Sequence, residues 1–287
     1  MAVVPLRHAI CNEVFQAWDF RKTCQFVKRC GYGGLEVAHF TLAPDPADIS
    51  QEARREYHRI LLNEGLEFVG LHWLMVAPPG LHVTTPDAAL RRRSWDHLRR
   101  LVDLAADLAT PSVPPGSRRP VMVFGSPKQR GTVDGATREQ ATRNFVDGLR
   151  ALAPHAEQQG VTLLIEALPS DQTDVISSLQ EAVSIVTELN SPAIQTMFDT
   201  HNAVEESEPH PVLVERYFEQ IRHVHVNEID GGHCGTGNYP FRPLLETLRR
   251  RQYAGWISLE AFDLRPGPER IAQESIAYLN RIAEEIP

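Results

Sequence analysis

Residues 160–199 read GVTLLIEALPSDQTDVISSLQEAVSIVTELNSPAIQTMFD and contain the clearest signal for the fold of this chain. It holds an apolar run at Thr162–Ala167, a segment with helical periodicity at Ser178–Asn190, and a second apolar run at Ile194–Asp199. A short apolar run, a helix and another short apolar run are typical of two parallel strands joined by a crossover helix. An acidic residue stands near the end of each run.

The same alternation continues along the rest of the chain. The other predicted strands are Arg7–Cys11, Gly34–Ala38, Glu67–Leu74, Pro120–Gly125, His223–Asn227 and Trp256–Ala261. The other predicted helices are Phe20–Arg29, Pro46–Asn63, Pro86–Leu108, Arg138–Gln159, Pro211–Gln220, Phe241–Arg251 and Pro268–Glu284. Eight strand–helix repeats predict an α/β protein of one domain, a (β/α)8 TIM barrel over residues 1–287.

The main alternative is an open, doubly wound sheet. That fold is less favoured because no GxGxxG motif follows the first strand and the repeats continue to eight. The loop Thr110–Arg119 is rich in Pro, Gly and Ser, and we expect a flexible connection there. It is not a predicted domain boundary, because the alternation resumes directly after it.

Charge and cysteine usage narrow the class of protein. The net charge of −8 disfavours a protein that binds nucleic acid by neutralising phosphates. Four cysteines without CxxC or zinc-finger spacing fit a reducing compartment. The N-terminus lacks the pattern of a signal peptide, and no apolar run approaches the ~18 residues of a membrane span. We therefore expect a soluble cytoplasmic protein without nucleic-acid or membrane partners.

Four consecutive predicted strands carry Glu166, Asp199, His225 and Glu260 at or near their C-terminal ends. In a parallel barrel these ends meet at the active-site face. Each acid alone would fit a pairing with arginine or the capping of the next helix. Together, three buried carboxylates would repel one another unless a cation neutralised them. Oxygen ligands with one imidazole suit Mn2+, Mg2+ or Co2+ better than a thiolate-type Zn2+ site, so the pattern predicts a divalent metal centre.

Further polar residues follow the predicted strands and are candidates for substrate contacts. His72 lies near the end of the third strand, and Lys128 follows the fourth. Glu228 and His233 follow the seventh, beside the glycine-rich segment GTGNYPF, which has the turns that a closing loop needs. For each of these residues the alternative is a buried structural histidine or a solvated surface charge.

The chain from Val161 onward resembles a known family. The segments LLIEALPSDQTDVISS, IQTMFDTHNAVEE, IRHVHVNEIDGGHCGTGNYPF and GWISLEAF are similar to the xylose-isomerase-like TIM barrel superfamily, in its sugar phosphate isomerase/epimerase branch. Ketose 3-epimerases and hydroxypyruvate isomerases are its most similar members. The spacings of 33, 26 and 35 residues between the four candidate ligands resemble those of the ketose 3-epimerase metal site.

The resemblance implies a chemistry. Glu166, Asp199, His225 and Glu260 would bind one divalent cation, with Mn2+ foremost, and Glu166 and Glu260 would act as paired acid and base on opposite faces of a carbohydrate substrate. The metal would polarise a carbonyl and stabilise the enediolate formed by proton abstraction beside it. By analogy with other barrels, a homodimer or homotetramer is expected.

This sequence differs from the ketose 3-epimerases at positions where those enzymes have substrate-binding residues. Gln172 stands where the epimerases have a glutamate that binds substrate hydroxyls, and Gly231 stands where they have an arginine. Asn202, with His201 beside it, replaces their substrate-binding histidine. The metal ligands are therefore retained while sugar recognition is altered, and His233 is a candidate for the donor lost at Gly231.

Several other functions stay open on the sequence alone. The same proton abstraction would serve a lyase or dehydratase acting on a keto-sugar, a keto-inositol or an oxidised glycoside. An endonuclease IV-like DNA-repair enzyme would need more His, Asp and Glu ligands and a DNA-binding face. A binding protein without activity is disfavoured, because an unused acidic cluster would destabilise the fold.

Overall fold

The computed structural model describes residues 5–111 and 119–286. Eight strands form a closed barrel in the order β1 to β8, with every neighbouring pair parallel and β1 paired to β8. The strands are β1 (Arg7–Cys11), β2 (Gly34–Ala38), β3 (Glu67–His72), β4 (Val121–Phe124), β5 (Thr162–Ile165), β6 (Ile194–Asp199), β7 (Ile221–Val226) and β8 (Trp256–Leu259). The predicted (β/α)8 barrel is confirmed.

One main helix follows each strand and packs on the outside of the barrel. The helices are α1 (Phe20–Cys30), α2 (Gln51–Glu64), α3 (Ala88–Leu108), α4 (Arg138–Gln159), α5 (Leu179–Leu189), α6 (His210–Arg216), α7 (Phe241–Arg250) and α8 (Pro268–Glu285). Glycines in the left-handed conformation end α1, α2 and α4. Among the described residues, no helix has the length and apolar character needed to cross a membrane.

Several boundaries differ from the prediction. The strands β5 and β8 end at Ile165 and Leu259, so Glu166 and Glu260 lie one residue beyond their strands. Helix α2 begins at Gln51 because Ser50 caps it and a separate 3-10 turn occupies Pro46–Asp48. Residues 112–118 of the predicted flexible loop lie outside the described residues.

Alternation along the strands sorts residues between two sides of the sheet. Leu35 and Val37 belong to the large apolar cluster that also contains the buried helix residues, whereas Glu36 between them takes the opposite side. In β7, Val224 and Val226 belong to the same large cluster, and His223 and His225 alternate with them. Polar side chains from β2 and β7 therefore meet inside the barrel.

Candidate active site

Strands β5 to β8 bring the four predicted metal ligands together at the C-terminal end of the barrel. One ligand atom from each of four buried residues lies within 4.8 Å of the others: Glu166, Asp199, His225 and Glu260. Nδ1 of His225 lies 3.0 Å from Oε2 of Glu260, 3.6 Å from Oδ2 of Asp199 and 4.0 Å from Oε1 of Glu166. The ladder pairs Asp199 directly with His225, which explains this closeness.

The three carboxylates are almost inaccessible to water. Glu166, Asp199 and Glu260 are exposed by only 6%, 4% and 5%. Burial, with the charges of Glu260 and Asp199, raises the pKa of Glu166 to about 8. Burial also raises the pKa of Glu260. Burial and mutual repulsion thus oppose the ionisation of these carboxyl groups together, and a bound cation would favour their ionised form.

The hydrogen bonding of the cluster fits a divalent cation. Oδ1 of Asp199 accepts the backbone N–H groups of His201 (2.7 Å) and Asn202 (2.9 Å). Oδ2 of Asp199 and Nδ1 of His225 are buried and have no hydrogen-bond partner among the described residues. Buried polar atoms are rarely left unpaired, so two such atoms beside two further carboxylates match a ligand set for one ion.

Glu36 lies behind the cluster and was not singled out in the sequence. Its Oε1 is 3.0 Å from Nε2 of His225, and its Oε2 is 2.8 Å from Nε2 of His223. Burial raises the pKa of Glu36, but the neighbouring His225 and His223 outweigh this and hold that pKa well below its usual range. The signal for Glu36 was the acid in the middle of a fully buried strand, GLEVA.

A cavity of about 260 Å³ opens directly onto the cluster. Glu166 and Glu260 form part of its wall, and Trp73 and Phe262 lie on it with ring centroids 6.3 Å apart. The remaining lining residues are His72, Val123, Gly125, Ser126, Pro127, Leu168, Gln172, His201 and Asn202. A small molecule in this cavity would lie beside both glutamates.

Four of the predicted substrate-binding residues line this cavity: His72, Gln172, His201 and Asn202. The amide of Asn202 donates to Oε1 of Glu166 at 3.0 Å and so holds that carboxylate in place. Nε2 of His72 lies 2.6 Å from Oε2 of Glu13. Their roles toward a substrate stay predictions.

The structure places the other three elsewhere. Lys128 is exposed and does not line the cavity. The Glu228 carboxylate accepts the backbone N–H groups of Gly235 and Tyr239, which organises the loop after β7. His233 bonds through Nε2 to Glu274 at 2.9 Å. Hydrogen bonds within the loop therefore hold Glu228, and a bond to α8 holds His233; neither residue lines the cavity beside the ligand cluster.

Gly231, the position at which the resemblance would place an arginine, lies in a tight backbone turn against Phe262. Gly231 has φ +82°, and a Cβ there would lie 3.1 Å from Cβ of Phe262. Its carbonyl accepts the backbone N–H groups of Phe262 and Asp263. A close backbone turn and an aromatic side chain thus occupy this part of the wall.

The chain belongs to the xylose isomerase-like TIM barrel family, whose model matches residues 24–282. The relatives described next are sugar epimerases, in agreement with the resemblance seen in the sequence.

Two relatives and one solved structure illustrate this. The chain is 23% identical over 244 residues to an L-ribulose 3-epimerase of Methylomonas sp. (strain DH-1), covering 84% of this chain and 78% of the relative. It is 26% identical over 181 residues to a ketose 3-epimerase of Arthrobacter globiformis, covering 63% and 59%. A D-psicose 3-epimerase from Clostridium cellulolyticum H10, solved with D-tagatose, superposes with a TM-score of 0.82 at 17% identity, covering 97% and 99%.

Proposed function

We propose that this protein is a divalent-metal-dependent sugar epimerase or isomerase. The cation is bound by Glu166, Asp199, His225 and Glu260. Of these, Glu166 and Glu260 also remove a proton from a substrate carbon and return one to it. The observation that carries the proposal is the buried ligand cluster, in which Oδ2 of Asp199 and Nδ1 of His225 lack partners beside a small cavity.

The ligand chemistry favours Mn2+, with Mg2+ or Co2+ as substitutes and Zn2+ less suited. Three carboxylates and one imidazole form an oxygen-rich set without thiolate. When bound, such a cation polarises a substrate carbonyl and stabilises the negative charge of an enediolate.

The protein's own side chains supply the proton transfer. Glu166 and Glu260 both lie on the cavity wall, so a carbon beside a carbonyl can be placed within reach of either carboxylate. Asn202 fixes the orientation of Glu166 through its 3.0 Å hydrogen bond. One glutamate then removes the proton and the other returns a proton to the opposite face, which inverts the configuration of that carbon.

The cavity favours a neutral substrate of monosaccharide size. A volume of about 260 Å³ lies below the range of drug-sized pockets. Among the described residues, no lysine or arginine lines it, so the cavity offers no cationic side chain to a phosphate group. Trp73 and Phe262 offer aromatic surface for the apolar face of a sugar. We therefore propose an unphosphorylated keto sugar or a small derivative of one.

A lyase or dehydratase would use the same two glutamates, but the comparisons do not favour it. Cavity size and net charge speak against a DNA substrate. Location in the cytoplasm and association into a homodimer or homotetramer stay predictions.

Incubation in deuterated water tests the proposal. Mn2+-loaded protein and a panel of free ketopentoses and ketohexoses are expected to give an epimer or isomer that carries deuterium at the carbon that exchanged its proton, because the abstracted proton equilibrates with solvent. Mass spectrometry and NMR locate the label, and the corresponding sugar phosphates serve as the control that should not react. A dehydrated product would replace the proposal by the lyase alternative, and the absence of both deuterium exchange and an epimer or isomer with every sugar of the panel would contradict the proposal.

A further inference from the structure

The centre of the barrel contains a carboxylate, Glu36, that reaches no solvent. Its exposure is 0%, and both of its oxygens face histidine nitrogens at 2.8 and 3.0 Å. A third histidine, His72, has Nδ1 at 3.7 Å from Oε1. Among the described residues, no arginine or lysine forms an ion pair with Glu36, so histidines alone compensate its charge.

This arrangement separates the two nitrogens of the His225 ring. Nε2 faces Glu36, whereas Nδ1 faces Glu260, Asp199 and Glu166. A carboxylate oxygen only accepts, so Nε2 must carry the hydrogen and donate it. In the neutral ring the lone pair then lies on Nδ1, the nitrogen directed at the proposed metal position.

We propose that Glu36 is a positioning residue, which fixes the tautomer and the ring orientation of His225 for metal binding. This inference rests on the proposed function, because it takes the cation to lie among the four ligands. Histidines that bind metals generally donate their second N–H to a carboxylate, carbonyl or water, which fixes the ring.

A purely structural role accounts poorly for Glu36. A buried carboxylate loses several kcal/mol of hydration, and apolar side chains fill similar interior positions at Val69 and Val123. Among the described residues, histidines offset the cost of burying this charge, and one of them, His225, extends directly into the ligand cluster.

Metal titration of the full chain tests this role. The metal-free protein is titrated with Mn2+ by calorimetry and by electron paramagnetic resonance of free Mn2+. Glu36→Leu removes the acceptor while filling the space, and we expect its Mn2+ affinity to fall about 10–100-fold. Glu36→Gln keeps a neutral acceptor, and we expect an affinity between those of Glu36→Leu and the wild type.

His223→Gln is the matched control, because it disturbs the other oxygen of the same carboxylate in the same buried layer. We expect its Mn2+ affinity to stay within about threefold of the wild type, a difference of about 0.6 kcal/mol. Thermal melting followed by circular dichroism checks that each variant is folded. If Glu36→Leu does not fold, the Mn2+ affinities of Glu36→Gln and His223→Gln are compared instead.

The outcomes separate this inference from the proposed function. Equal Mn2+ affinity in wild type and both Glu36 variants, or an equal loss in His223→Gln, would overturn the role of Glu36. His225→Asn tests the ligand set itself. If the wild type binds Mn2+ and His225→Asn does not, the proposed metal site is supported whatever the Glu36 variants show. If the wild type and His225→Asn bind Mn2+ equally well, the proposed ligand set is wrong.

Discussion

Replacing Glu260 by glutamine is expected to lower kcat about 10²–10⁴-fold while the protein stays folded. The Glu260 carboxylate lies on the cavity wall and 3.0 Å from Nδ1 of His225. Glutamine has nearly the same shape and volume but cannot take up or return a proton at neutral pH. The loss should therefore fall on kcat, with a smaller change in KM.

Steady-state kinetics at saturating Mn2+ provides the measurement, with the bound metal determined on the same sample. Glu274→Gln makes the same chemical change on an exposed carboxylate outside the cavity, and its kcat should match the wild type. A Glu260→Gln variant that retains metal and turns over within tenfold of the wild type would remove Glu260 from the proton transfer.

Removal of the metal is the second change with a large expected effect. Dialysis against EDTA should lower activity to about 1% or less, because a carboxylate cannot abstract a proton beside a carbonyl unless the resulting charge is stabilised. Added Mn2+, Co2+ or Mg2+ should restore it. Turnover that is unchanged in metal-free protein would exclude metal dependence.

The same cation should stabilise the fold. An ion that binds only the native state adds about 2.7 kcal/mol to the free energy of unfolding when its concentration is one hundred times its Kd. Mn2+ should therefore raise the Tm by several degrees. His225→Asn removes the imidazole from the ligand set and should abolish most of that increase. A Tm increase that survives His225→Asn would place the ion elsewhere.

The fold could be predicted because its signal is local and repeated. The strand–helix repeat seen in residues 160–199 occurs eight times along the chain, and each repeat has few ways to pack against the next. The grouping of the four proposed ligands follows from the same pattern, because parallel strands end at one face. The closeness of these four side chains follows from the barrel geometry alone and does not depend on the course of any loop.

The parts that could not be predicted depend on contacts between distant residues. Glu36 acquires its meaning from His223 and His225, nearly two hundred positions away, which lie opposite it inside the closed barrel. Glu228 and His233 follow the same strand as His225, but Glu228 bonds to the backbone of its own loop and His233 to Glu274 of α8, so neither lines the 260 Å³ cavity. Sequence position alone does not distinguish a side chain that lines a cavity from one that organises the loop beside it.

The position of a bound ion would show whether these four residues form the metal site. Anomalous diffraction from crystals of the Mn2+-loaded protein should show a peak about 2.0–2.5 Å from ligand atoms of all four residues, with His225 coordinating through Nδ1. We expect this peak at the mouth of the barrel, beside the 260 Å³ cavity. A peak at any other position, or none at saturating Mn2+, would contradict it.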